Sequence, residues 1–219
     1  MNPFYQSIPM HLFVAKYPDV QTLIEQLYLG AIVDAYPRIR AIPGIKNLKE
    51  NAIRNEVVRD FKFNNPVISD YFQSKIISIA AENQANTATL QQRTDLEISS
   101  NIHQHLFVLE CKNLDSAETR YVHGRTVNNT YQHDGLEKFI DLTYGETDDE
   151  GAMFSFIVGG SPAAIVNSLK QKVQTFHPSP DCVHLSNQQC IGWSLSFQSS
   201  HICVNNKVFH LYHLFYDLT

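Results

Sequence analysis

Two stretches of this chain are too apolar to lie anywhere but between two layers. Residues 106–112, LFVLECK, and 152–160, AMFSFIVGG, lack the polar alternation of a half-exposed strand. Strands of this kind sit inside a sheet covered on both faces, which points to an α/β architecture with helices on either side. The flanking patterns agree. Asp19 is placed to cap a helix in VQTLIEQLYLGAIVDAY, where Val20, Leu23, Ile24, Leu27, Tyr28 and Ile32 form an apolar stripe that ends near Pro37. A second helix is expected from Ile45 to Phe61, stopped by Asn64, Asn65 and Pro66. KIISIAAEN (75–83) and RTDLEIS (93–99) read as strands, with ANTATLQQ as a connection between them.

Beyond LFVLECK, the spacing of Tyr131, Leu136, Phe139 and Ile140 predicts a helix over about Thr126–Tyr144, followed by an acidic turn at GETDDEG. Ser161 and Pro162 suit the cap and first position of a helix through AAIVNSLKQKVQTF. The end of the chain, WSLSFQSSHICV, NNK and VFHLYHLFYDL, has the pattern of a β-hairpin. Helix, three strands, helix, strand, helix and terminal hairpin together imply an α/β fold with a mixed central sheet.

At 219 residues the chain suffices for one sizeable core, and 43% hydrophobic with 18% charged residues is ordinary globular composition. No apolar run approaches membrane-spanning length, and the beginning of the chain has no secretory pattern. Four cysteines, Cys111, Cys182, Cys190 and Cys203, do not form a disulfide framework in a chain this long. A cytoplasmic location is the expectation. The net charge of −5 excludes coating of nucleic acid by bulk electrostatics. Seven bases between Arg38 and Lys62, against three acids there, leave two readings: a phosphate-facing side, or a solvated helix face laced with ion pairs.

Glu110 and Lys112 stand two apart at the end of an apolar strand, so they share a face while Leu109 and Cys111 take the other. Asp95 opens the preceding strand, and the short SSNIHQH connection brings it alongside Glu110. Two carboxylates and an ammonium at one sheet edge are costly to desolvate, and a divalent cation offsets the like charges. Mg²⁺ or Mn²⁺ is the cofactor expected there. From the second helix, Glu50 continues the stripe of Ile53, Val57 and Phe61, whereas Glu56 lies off it. Glu50 therefore has a reason to face this cluster; the alternative is an exposed first-turn acid paired with Arg54.

These residues resemble the PD-(D/E)xK nuclease superfamily, the restriction-endonuclease-like fold. Asp95, Glu110 and Lys112 match its aspartate at the head of one strand and Glu-x-Lys on the next, and ENAIRNEVVRDF matches its acidic helix. The resemblance covers about residues 45–160; Thr94 stands where many members have proline, and Gln132 is placed for the glutamine some carry. It implies a restriction-endonuclease-like core within a single domain spanning 1–219, with the N-terminal helix and the C-terminal helix plus hairpin as elaborations. It also implies a metal-dependent nuclease acting on DNA rather than RNA, with Asp95 and Glu110 holding the metal, and Lys112 and Glu50 completing the catalytic set. The alternative is an inactive nuclease-fold module that binds nucleic acid or a protein partner; a homo-oligomer fits either reading, a membrane neither.

Other signals are weaker. His103 and His105 fall in an expected turn, and Cys182, His184 and Cys190 lack the paired spacing of zinc sites. His210 and His213 fall on opposite strand faces.

Overall fold

The computed structural model describes residues 8–81, 84–87, 90–115, 119–127, 130–141, 144, 149–176, 183–186 and 188–219. An α/β fold is built on a mixed seven-stranded sheet. Its members are β1 (Ile77–Ala81), β4 (Leu96–Ser100), β5 (His105–Leu114), β8 (Glu150–Ile157), β9 (Val183–Ser186), β10 (Ser196–Ile202) and β11 (Val208–Asp217), in the order β1-β4-β5-β8-β11-β10-β9. β1, β4 and β5 form an antiparallel meander, and β8 lies parallel to both β5 and β11. The two largely apolar stretches thus pair in parallel as β5 and β8, inside the sheet.

Alternation along the strands divides the core in two. Phe107, Leu109, Cys111, Phe154, Phe156, Leu214 and Tyr216 face one layer. It is made by α1 (Met10–Lys16), a helical run of α2 (Val20–Thr22), a π-helical segment (Leu23–Leu29) and α3 (Gly30–Arg40), and then α4 (Glu50–Phe63) and α5 (Ser69–Gln73). Val108, Met153, Leu211 and Phe215 face the other layer, with α6 (Glu137–Ile140) and α7 (Pro162–Gln174). Each buried phenylalanine or leucine contributes about 1.5–3 kcal/mol over exposure, so a one-residue slip in β5 or β8 is heavily penalised.

The Asp19 carboxylate caps its helix, accepting from the Thr22 N–H at 2.7 Å. The helix passes through Pro37 to Arg40, where Arg38 ties the last turn to Asp34 at 2.6 Å and to Asp60 at 2.7 Å. The basic segment is laced with ion pairs: Arg54 reaches Asp95, and Arg59 pairs with Glu56. Three expectations fail. The second helix begins at Glu50 rather than near Ile45, after a 3-10 turn over Ile45–Asn47. Residues taken as a connection before β4 form a small sheet of β2 (Gln84–Thr87) and β3 (Leu90–Arg93). The helix expected over about Thr126–Tyr144 is instead β6 (Arg125–Val127), β7 (Thr130–Gln132) and the four-residue α6. β-branched and aromatic Thr126, Val127, Thr130 and Tyr131 favour strand there, and Gly135 at φ +59° breaks a helix. Among the described residues no helix is long and apolar enough to cross a membrane.

A polar chain runs through the second layer. The Tyr121 hydroxyl lies 2.7 Å from His213 Nδ1, His213 Nε2 2.7 Å from Ser199 Oγ, and Ser199 Oγ 2.7 Å from His201 Nε2. Burial, with His201 adding to it, holds the His213 imidazole well below its ordinary range. The native state therefore binds fewer protons than the unfolded chain. Stability is full above the unfolded value of about 6.5 and falls as the pH drops below it, by up to about 1.4 kcal/mol per pH unit for each such histidine. His105, lowered by burial and by His103, acts in the same direction. Urea unfolding at about pH 7.5 and about pH 5.5 should show this loss in the wild type and a smaller one in His213→Gln; equal losses would place the acid sensitivity elsewhere.

Candidate active site

The β4–β5 register pairs Leu96 with Leu109. Continued one step, it sets Asp95 across from Glu110. The Asp95 carboxylate accepts from the Cys111 backbone N–H at 2.8 Å and from Arg54 Nη1 at 3.0 Å. Arg54 is almost wholly buried, because it lies on the inward face of α4 with Ile53 and Val57. Glu50, one turn earlier on that face, accepts from the Asn113 backbone N–H at 2.9 Å. Glu56 is turned away and pairs with Arg59. Helix α4 thus delivers Glu50 and Arg54 to the end of β5.

Glu110 is 0% exposed. Its carboxylate accepts from Lys112 Nζ at 2.6 Å, from Lys138 Nζ at 2.9 and 3.1 Å, and from the Tyr144 hydroxyl. Lys112 also meets Asp134 at 2.8 Å. Burial disfavours the Lys112 ammonium, yet the carboxylates of Glu110, Asp134, Glu50 and Asp95 more than offset this and hold its pKa above the ordinary lysine range. Three carboxylates from α4, the start of β4 and β5, with a fourth from the crossover, thus act on a single ammonium. Burial and the Glu110 carboxylate likewise push the Tyr144 hydroxyl far up, so it remains a donor. Burial, then the Asp95 and Glu50 carboxylates, raise the Cys111 thiol well above its usual range, which leaves it unsuited to nucleophilic attack.

The expected residues therefore meet along the second half of β5, Asp95 and Glu50 on the Cys111 and Asn113 N–H groups and Glu110 and Lys112 on the strand face toward α6, and five others come with them. Arg54, Asp134, Lys138 and Tyr144 supply partners, and Ser155 sits on β8 in register with Lys112. Ser155 is fully buried and its Oγ has no hydrogen-bond partner among the described residues. A lone serine inside AMFSFIV was its only sequence signal. Lys138 and Asp134 gave none, since their position depends on Gly135. A Cβ at Gly135 would stand 2.3 Å from the Tyr121 carbonyl oxygen, so only glycine lets the two backbones approach. The N–H groups of Leu136 and Glu137 then bond the Tyr121 and Val122 carbonyls at 3.0 and 3.1 Å, which fixes α6.

Whether these groups suit a divalent cation is decided by donors and by charge. The donors are hard carboxylate oxygens, matched in type to Mg²⁺ or Mn²⁺, and the Ser155 hydroxyl, in register with Lys112, has no hydrogen-bond partner among the described residues. The Lys138 ammonium, spanning both oxygens of Glu110, stands in for a cation in the present arrangement. Among the described residues no group of three or more histidine, cysteine, aspartate or glutamate side chains is assembled around a common point for a metal. The oxygen donors suit such an ion in type, while the Glu110 carboxylate is taken up by Lys112, Lys138 and Tyr144.

The other signals lead elsewhere. His105 is buried and stacks on Tyr28, while His103 lies in the 101–104 turn. Cys190 is buried and donates to the Phe197 carbonyl at 3.4 Å; Cys182 and the side chain of Gln132 lie outside the described residues. A groove of about 740 Å³ lined by Gln21, His105, Glu150, Lys207 and His210 opens at the other end of β5. It is five to seven residues, or about 16–23 Å, from Glu110 and Lys112. In comparisons with known proteins, the chain matches no family model, no curated protein and no solved structure.

Removing one member of a buried charge cluster strands the others. Glu110→Ala should cost about 3–5 kcal/mol of unfolding free energy, because two ammonium groups lose a fully buried partner. Glu56→Ala, which breaks a pair with an exposed arginine, should cost about 1 kcal/mol or less. Equal effects in thermal or urea unfolding would show that Glu110 is far better solvated than its surroundings imply.

Proposed function

We propose that this chain is a metal-dependent nuclease of the PD-(D/E)xK type, hydrolysing phosphodiester bonds, with DNA as the preferred substrate. The observation that carries this reading is that carboxylates from three separate elements meet along Glu110–Asn113 of β5: Asp95 on the Cys111 N–H, Glu50 on the Asn113 N–H, and Glu110 on Lys112. The element order supports it: the acidic helix α4, the meander β1-β4-β5, a crossover with a short helix, and the parallel strand β8 follow the core expected of a restriction-endonuclease-like fold. Asp95 and Glu110 would hold Mg²⁺ or Mn²⁺, with Glu50 as a further carboxylate beside them. Bound there, the cation would supply Lewis acidity toward the phosphate and a more acidic water.

The protein's own groups have separable tasks. Arg54 and the Cys111 N–H fix the Asp95 carboxylate, and the Asn113 N–H fixes that of Glu50. Lys112, held as an ammonium by the surrounding carboxylates, is suited to stabilising the charge that develops on the phosphate oxygens rather than to taking a proton. A second reading, an inactive nuclease-fold module that binds nucleic acid or a protein, is favoured by one observation: Glu110 is already engaged by Lys112, Lys138 and Tyr144.

Cleavage of a labelled DNA duplex and single strand with Mg²⁺ or Mn²⁺ separates the two. Asp95→Asn, Glu110→Gln and Lys112→Met should each lower the rate by about 100-fold or more, Glu50→Gln by about 10-fold or more, and Glu56→Gln by less than about twofold. A wild type that binds DNA without cutting it under any of these conditions is the binding module instead.

A further inference from the structure

The two ammonium groups on Glu110 are not equivalent. Lys112 is shared with Asp134 and so remains tied to the site even without Glu110. Lys138 bridges both oxygens of Glu110 at 2.9 and 3.1 Å, and its ammonium lies 5.4 Å from the centre of the Tyr144 ring. Its side chain is 17% exposed, whereas that of Glu110 is 0% exposed, so the solvent side of this contact lies on Lys138. Charge points the same way. Glu50, Asp95, Glu110 and Asp134 carry four negative charges, and Arg54, Lys112 and Lys138 three positive ones. The set is formally −1 with Lys138 inside, and exchanging that ammonium for a divalent cation brings it to zero. The exchange relieves a residual charge without uncovering Glu110.

We infer that Lys138 is a resident counter-cation, which occupies both oxygens of Glu110 and must swing out before a divalent metal enters. Lys138 is then an autoinhibitory contact at the site, and it makes metal binding a competition rather than a simple filling. The inference rests on the metal-site reading above. It also explains how a carboxylate destined for a cation stays buried and paired without one: the protein keeps a cation of its own beside it.

Calorimetric titration of Mn²⁺ into the wild type, Lys138→Met, Lys138→Arg and Asp95→Asn tests this without any turnover. Lys138→Met should bind Mn²⁺ about tenfold or more tighter than the wild type, since a single charge a few ångströms away is removed. Lys138→Arg keeps the charge on Glu110 and should bind no tighter than the wild type. Lys138→Gln, which donates to Glu110 without charge, serves if the methionine variant melts early, and should tighten binding as well. If wild type and both neutral variants bind equally while Asp95→Asn abolishes binding, Lys138 is no gate, although the metal site stands. Tightening by Lys138→Met that persists when Asp95→Asn is added to the same chain locates the metal elsewhere and overturns the inference. Absence of Mn²⁺ binding at millimolar concentration in all four proteins overturns the inference and the metal-site reading together.

Discussion

A carboxylate fully removed from water at the middle of a sheet sets the terms for everything around it. Taking Glu110 out of solvent costs several kcal/mol, and only close, well-oriented cations and donors offset that. The arrangement of the crossover between β5 and β8 follows from this requirement. Gly135 brings the chain hard against Tyr121, α6 is held by backbone bonds to Tyr121 and Val122, and Lys138 and Tyr144 arrive at the carboxylate from above. Lys112 comes from the same strand, and Asp134 keeps it from carrying an uncompensated charge. Loss of the glycine would therefore disturb the site without touching any of its charges.

How much of this the amino-acid sequence discloses depends on the range of the interaction. The central strands are legible because a two-residue period and unbroken apolarity are properties of a few neighbours, and Phe154, Phe156, Leu109 and Cys111 occupy the faces that alternation assigns them. Glu110, Lys112 and Asp95 are legible for the same reason, because strand parity and a short turn determine where they point. The choice of Glu50 over Glu56 needed only helical geometry. The segment from Thr126 to Tyr144 is another matter. Its apolar residues have helical spacing, but a short hairpin and a single turn of helix win through contacts with Tyr121, Val122 and Glu110, which are distant in sequence. Lys138 and Tyr144 are invisible as site residues for that reason, and Arg54 because its partner is 41 residues away.

The basic stretch from Arg38 to Lys62 also changes meaning once folded. Arg38 serves Asp34 and Asp60, Arg54 serves Asp95, and Arg59 serves Glu56. The charge of these three arginines is thus engaged within the protein, while Lys46 and Lys49 are exposed.

The burial of the Glu110 cluster separates it from the surface ion pairs in its response to ionic strength. At physiological salt the Debye length is about 8 Å, and mobile ions weaken exposed pairs while barely reaching buried ones. The pair between Arg59 and Glu56, with its arginine 63% exposed, belongs to the first kind; those of Glu110 with Lys112 and Lys138 belong to the second. Raising the salt concentration therefore loosens the outer face of α4 long before it loosens the charges at the end of β5. The interior of the site keeps its electrostatic character in media where its approach to a charged partner is already screened.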